Sequence, residues 1–262
     1  DLTLTQDQVI SDFLNDPALP APPDVSMVAP SLLLDAPERL LALAVDLLLS
    51  GDVAHGGEYL DVLERALPSV PGDPGVAARL AMARALRFML MGQADLAAGE
   101  VLAMRAIQER AHLSDEWTAV ILLRVYEWLE DYKALDREAA VAVATPELAE
   151  PVRLVLVPGA QALALFEQGR LADAADAAAA AEKHASRLGF SHHLFAVDYL
   201  RALSGLALER RDVETAEQLA EQALCISERR RPSYAFLAML QRGAIWAARG
   251  QVRDALASIE AA

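Results

Sequence analysis

From Pro30 onward, apolar residues recur at spacings of three and four, as in Leu40, Leu43, Leu47 and Leu48, and short polar turns interrupt them at regular intervals. That spacing gathers the apolar side chains on one side of an α-helix. No stretch alternates apolar and polar residues with the period of two that a half-buried strand shows. The pattern predicts an all-α chain of helices paired across turns. Six turns share one form: Gly51-Asp52-Val53, Gly92-Gln93-Ala94, Asp131-Tyr132-Lys133, Gly169-Arg170-Leu171, Arg211-Asp212-Val213 and Gly250-Gln251-Val252, with first residues 41, 39, 38, 42 and 39 positions apart. Glycine holds most of the first positions, as expected where a helix ends on a left-handed residue and a Cβ would be penalised.

Small residues stand at two fixed distances from these turns. Seven positions before the first turn residue are Ala44, Ala85, Ala162, Ser204 and Gly243, and five positions after it are Gly56, Ala97, Ala174, Ala216 and Ala255. Such placement lets two antiparallel helices approach closely. Two helices per period of about 40 residues is the mark of a stacked solenoid. The expected architecture is therefore a right-handed superhelix of about six antiparallel helix pairs, tetratricopeptide-like, spanning residues 30–262. Ahead of it, residues 1–29 read as a short amphipathic helix, with Val9, Ile10, Phe13 and Leu14 on its apolar side, and a connection broken by Pro17, Pro20, Pro22 and Pro23. The chain begins on Asp1 and still has a helical pattern at Ala262, so an excised piece of a larger protein is expected.

The third unit breaks the packing rule. Arg124 and Asp136 occupy the two small-residue positions, Glu127 follows Arg124 by one turn, and Trp117, Tyr126 and Trp128 are near in sequence. Charges at positions that other units bury are costly unless they meet one another or a ligand. Aromatic faces beside arginine and carboxylate suit a sugar, whose C–H faces stack while its hydroxyls need fixed donors and acceptors. The competing reading pairs Arg124 with Glu127 along one helix and leaves Asp136 as a cap or in water. A second candidate lies in Asp198 and Arg201 of the fifth unit with Arg242 and Trp246 of the sixth. There Gly159, Gly205 and Ala244 are expected to leave room for a polar pocket on the inner surface, between the third and sixth units.

Composition narrows the function. A net charge of -15 argues against direct binding of a nucleic-acid backbone, which needs clustered basic residues. The single cysteine, Cys225, rules out an internal disulfide and points to a reducing, cytoplasmic setting; between Leu224 and Ile226 it reads as a small buried hydrophobe. The longest uncharged run, Leu154 to Phe166, contains Pro158 and falls short of the ~20 residues that cross a bilayer, so no membrane association is expected. His192 and His193 are adjacent and point about 100° apart on a helix, which does not suit one metal ion. No nucleophile elbow and no G-x-x-x-x-G-K-[ST] phosphate loop are present, so neither catalysis nor a bound cofactor is expected.

Segments such as LLLSGDVAHGGEYL, ALFEQGRLADAADAA, LALERRDVETAEQLAEQALCISERR and IWAARGQVRDALASIEAA resemble the helical-repeat sensor region of large LuxR-family, MalT-type ATP-binding transcription regulators. The resemblance runs over nearly the whole chain from Pro30. It implies a middle domain that receives a small-molecule inducer, a sugar in the maltose case, and relays it to an upstream nucleotide switch and a C-terminal DNA reader, neither of which is in this sequence. Neighbouring domains of the same polypeptide, and self-association of the full-length protein, would then be its partners. The family offers no compact inducer motif to carry over, so the candidate residues rest on the breaks in the repeat. The alternative is a scaffold that grips a peptide or a regulatory partner; an enzyme accessory domain is a third option.

Overall fold

The computed structural model describes residues 37–49, 51–66, 73–111, 116–230 and 235–261. The proposed N-terminal helix and the proline-rich connection lie outside them, as do Ser114, Asp115 and Arg231. The described residues contain helices and no strand. The chain divides into two compact units, residues 1–131 and 132–262, and the division falls inside the third helix pair.

The first unit holds α1 (Pro37–Leu49), α2 (Val53–Ala66), α3 (Pro74–Leu90), α4 (Ala94–Ala111) and α5 (Glu116–Trp128). Helices α1 and α2 form one pair, α3 and α4 the next, and α5 packs against both members of the latter. Their core collects Ala81, Met82, Ala85 and Met89 of α3, Ala97, Val101 and Met104 of α4, and Ile121, Leu122 and Val125 of α5. Charges stitch its rim. Arg84 reaches Glu64 at 2.6 Å, and Arg87 reaches Asp61 at 2.8 Å. Helix α2 opens on Asp52, whose carboxylate accepts the His55 backbone N–H at 3.1 Å and pairs with the His55 ring at 2.7 Å. The His55 backbone N–H, and then its ring, hold the carboxyl below its usual range, and the hydrogen bond from the ring to Asp52 raises the imidazole.

The second unit holds α6 (Tyr132–Ala144), a π-helical turn (Val152–Leu156) that runs into α7 (Val157–Glu167), α8 (Leu171–Leu188), a 3-10 turn (Leu194–Ala196) that runs into α9 (Val197–Glu209), α10 (Val213–Arg230), α11 (Ala235–Ala248) and α12 (Val252–Ala261). Pairs α7–α8, α9–α10 and α11–α12 stack in order, α9 on α7 and α11 on α10. Pro158 supplies no N–H to the ladder, and the backbone widens into the π turn just ahead of it.

All six inter-helix turns close identically. In each, the N–H of a left-handed residue bonds the carbonyl three residues back and the next N–H bonds the carbonyl five back, as in Gly51 to Leu48 at 3.0 Å and Asp52 to Leu47 at 2.9 Å. This is the Schellman ending, and the left-handed residues are Gly51, Gly92, Glu130, Gly169, Arg211 and Gly250. The close approach predicted across the turns is present where contacts show it. A Cβ on Gly56 would lie 3.1 Å from the Ala44 carbonyl oxygen, one on Gly243 would lie 3.3 Å from that of Ala255, and the Ser204 hydroxyl donates to the Ala216 carbonyl at 2.7 Å.

The same turns correct the register of the third unit. Its left-handed residue is Glu130, with φ of 54°, and the Asp131 N–H bonds the Tyr126 carbonyl at 3.0 Å. Counted from Glu130, the positions that hold small residues in the other units fall on Leu123 and Leu135, both buried, one residue ahead of Arg124 and Asp136. The third unit is thus exceptional for large apolar residues at those points, and Arg124 and Asp136 do not occupy them. Cys225 also departs from expectation. It is exposed, because Leu224 and Ile226 adjoin it in sequence yet point about 100° away on the helix.

Candidate functional site

Helix α5 is apolar on nearly every side, with Val120, Ile121, Leu122, Leu123 and Val125 buried. Arg124 is inserted into this run and is itself buried. Its Nη1 donates to Glu127 Oε2 at 2.7 Å, and the two side chains are only 9% and 13% exposed. The pair has the i,i+3 geometry of an ordinary helix pair and the burial of an interior one. Both residues make further contacts. Trp128 is half-buried at the end of the same helix, and Asp136 is half-buried on α6 in the second unit.

In the second unit the entry to α9 is built from aromatic groups. The His193 ring is buried and its Nδ1 accepts the Phe195 N–H at 3.3 Å, capping the 3-10 turn. Phe190 and Phe195 meet this ring edge-on at centroid distances of 4.8 and 4.4 Å. One turn on come Asp198, 1% exposed, and Arg201, 8% exposed. Both interact with neighbouring groups. Burial pushes the adjacent Tyr199 phenol up to about 12, with the charge of Glu182 adding to the effect.

The expected opening beside these charges is closed. A Cβ on Gly205 would lie 2.5 Å from the ring of Phe166, so the missing side chain makes room for that ring. Gly159 brings α7 against the α9 backbone, its missing Cβ 3.3 Å from the Tyr199 nitrogen and 3.4 Å from Asp198 Cβ. Ala244 is exposed. These glycines serve helix packing, and no pocket opens at Gly159 or Gly205.

Arg242 and Trp246 do meet, as their spacing of four suggested. The guanidinium lies 4.7 Å from the indole centroid. Two carboxylates that the repeat pattern did not single out complete the arrangement. Glu217 accepts from Trp246 Nε1 at 3.0 Å and pairs with Arg249 at 2.5 Å, and Glu221 pairs with Arg242 at 3.3 Å. The signal was available as Glu217 and Glu221, spaced by four on α10, facing Arg242 and Trp246, spaced by four on α11. The group joins α10 to α11 through partly exposed side chains, and Ser258 of α12 accepts from Arg242 Nε at 3.3 Å.

Among the described residues, no group of three His, Cys, Asp or Glu side chains could hold a metal ion. No described helix is long and apolar enough to cross a membrane. The geometry yields three separate sets of buried or partly buried polar groups, one on α5, one on α9 and one between α10 and α11.

No protein-family model and no curated protein matches this chain. Solved structures do. The chain is similar to NprR in complex with its cognate peptide NprX, at 12% identity and a TM-score of 0.65, over 86% of this chain and 65% of the other. It is similar to the apo form of RapI, at 12% identity and 0.55, over 97% and 67%. It is similar also to the APC/C hetero-tetramer Cut9-Hcn1, at 11% identity and 0.61, over 97% of this chain and 46% of the other. This chain therefore spans about two thirds or less of the length of these three chains. The shared feature is the fold, and it defines the class: an all-α, tetratricopeptide-like array of helix pairs. At these identities the likeness shows the fold alone, and the expected LuxR-family, MalT-type membership finds no support in it.

Proposed function

We propose that this chain is the receptor part of a regulatory protein, a helical array that takes up a peptide or a segment of a partner protein and catalyses no reaction. The observation that carries this reading is the fold shared with NprR over 86% of the chain, in a structure that holds the peptide NprX. Cut9, with the same fold, is seen assembled with Hcn1. Stacked helix pairs present long surfaces suited to an extended or helical segment. The partly exposed group of Arg242, Trp246, Glu217 and Glu221 supplies donors and acceptors of both signs for a main chain or its charged ends.

A small polar inducer, a sugar included, is the second reading. It draws on the resemblance to the MalT-type sensor region and on the Arg124–Glu127 pair beside Trp128. A transcription regulator with further domains is the setting that both readings share. Thermal unfolding in the presence of a random cationic peptide library and of a panel of mono- and oligosaccharides separates the two. A ligand at 100 times its Kd adds about 2.7 kcal/mol of stability. Stabilisation by peptides, lost in Arg242→Ala while the ligand-free Tm is measured alongside, is the expected result. Stabilisation by sugars alone would transfer the conclusion to the second reading, and silence from both sets would remove the receptor reading.

A further inference from the structure

Helix α4 carries two lines of residues on opposite sides. Ala97, Val101, Met104 and Gln108 are buried within the first unit. On the other side Leu96, Gly99, Ala103 and Ala106 follow one another at spacings of three and four and are all exposed, Leu96 by 53%, with Leu102 beside them exposed by 55%. Counted from the left-handed residue of each turn, the same positions hold His55, Glu58 and Arg65 on α2 and Asp173, Asp176 and Lys183 on α8, all exposed. The outer side that α2 and α8 give to water is apolar on α4.

Gly99 adds an independent observation. It stands inside an 18-residue helix, where glycine is among the least favourable residues. Gly56 makes room for Leu48, Gly205 for Phe166 and Gly243 for Ile259, whereas a Cβ on Gly99 would meet nothing within 4 Å. The packing of this chain gives that gap no use. A further helix crossing there does, because small residues at 99, 103 and 106 let two helix axes approach to about 8 Å.

The residues flanking the line decide what that helix is. Its spacing is that of a coiled-coil seam, in which the positions beside the seam set the choice of partner. On α4 these are Asp95 and Glu109, with Leu102 between them, on one side, and Glu100, which also reaches Arg84 at 3.7 Å, on the other. Arg110 closes the line, with its Nε turned back to donate to the Ala106 carbonyl at 2.9 Å. A second copy of α4 is disfavoured in both orientations: an antiparallel pair sets Asp95 against Glu109, and a parallel pair sets Asp95 against Glu100. We propose that this face takes up a helix of a partner protein, one with small apolar residues along its seam and lysine or arginine on both flanks. The surface is separate from the α10–α11 group on which the receptor reading draws, so either can fail without the other.

A labelled synthetic helix, with alanine and leucine along its seam and lysine on both flanks, is the probe, titrated with the full chain and followed by fluorescence anisotropy. The expected result is saturable binding, weakened about tenfold or more in Gly99→Leu. That substitution leaves the charge unchanged and places its side chain in open space, so the ligand-free unfolding midpoint is expected to hold or to rise. The same probe with glutamate flanks is expected not to bind the unaltered chain, and to bind the double variant Asp95→Lys, Glu109→Lys, which loses the lysine probe. No saturable binding of the lysine probe, binding that Gly99→Leu leaves intact, or equal binding of the two probes would overturn the proposal. Sedimentation of the chain alone supplies the last arm: a dimer that Gly99→Leu dissolves would assign the face to a second copy and overturn it equally.

Discussion

Arg124 shows how one position in register changes the meaning of a residue. Counted from Asp131 it takes the position that holds a small residue in the other units; counted from Glu130 it falls one residue past that position, paired with Glu127 inside an apolar helix. The pair is interior by exposure, and its loss would strand a buried charge. Arg124→Ala is therefore expected to destabilise the chain by about 3–5 kcal/mol. Arg170 and Asp173 form the control: the same i,i+3 spacing and a 2.6 Å contact, but with both side chains about half exposed. Arg170→Ala is expected to shift stability by only a few tenths of a kcal/mol, about the worth of an exposed helix pair. Urea unfolding of the two variants compares them directly. Equal, small effects would show that solvent reaches the Arg124 pair.

At the level of the helix pair, the turns carry the most transferable information. Two of the six left-handed positions hold a side chain, Glu130 with φ of 54° and Arg211 with φ of 63°. A non-glycine residue there costs about 1–2 kcal/mol, partly offset in a glycine variant by its greater freedom when unfolded. Glu130→Gly and Arg211→Gly are each expected to stabilise the chain by roughly 0.5–1 kcal/mol, read as a higher urea midpoint with an unchanged slope. No gain at 130 would mean that its turn is not closed as the others are. These turns also explain what was legible in the sequence. Glycine announced four of them, and the small residues Ala44, Ala97, Ala162 and Gly243 were readable because their spacing from the glycine is constant. Where glutamate took the glycine's place the register slipped by one, and the candidate site moved with it. The glycines at 159 and 205 were legible as gaps but not as filled gaps, since what fills Gly205 is a phenyl ring, that of Phe166, on another helix pair. The carboxylates Glu217 and Glu221 escaped notice for the same reason, because their partners are set by stacking between pairs.

For the molecule as a whole, charge divides along the same line as the fold. The net charge of -15 is nearly all in residues 1–131, with 21 acidic and 8 basic side chains, while the second unit is close to neutral. A basic segment approaching from solution is drawn toward the first unit, and screening by salt weakens the pull. With a cationic peptide that binds, the association rate constant is expected to fall on the order of tenfold between about 0.05 and 0.5 M salt, with the dissociation rate little changed. The position of the charge gives a sharper form of the test. Replacing the exposed Glu58, Asp95 and Glu109 of the first unit by their amides removes three charges from the acidic half, and amides at the exposed Asp176, Glu214 and Asp254 remove three from the neutral half. Steering by the first unit requires that only the former set slows association, because a field set up by 21 carboxylates in one unit is felt mostly on that unit within a Debye length of about 8–10 Å. Equal slowing by both sets would show that overall charge, and not its placement, governs the encounter. Stopped-flow measurement of the two triple variants against the unaltered chain distinguishes these outcomes, wherever on the helices the peptide comes to rest.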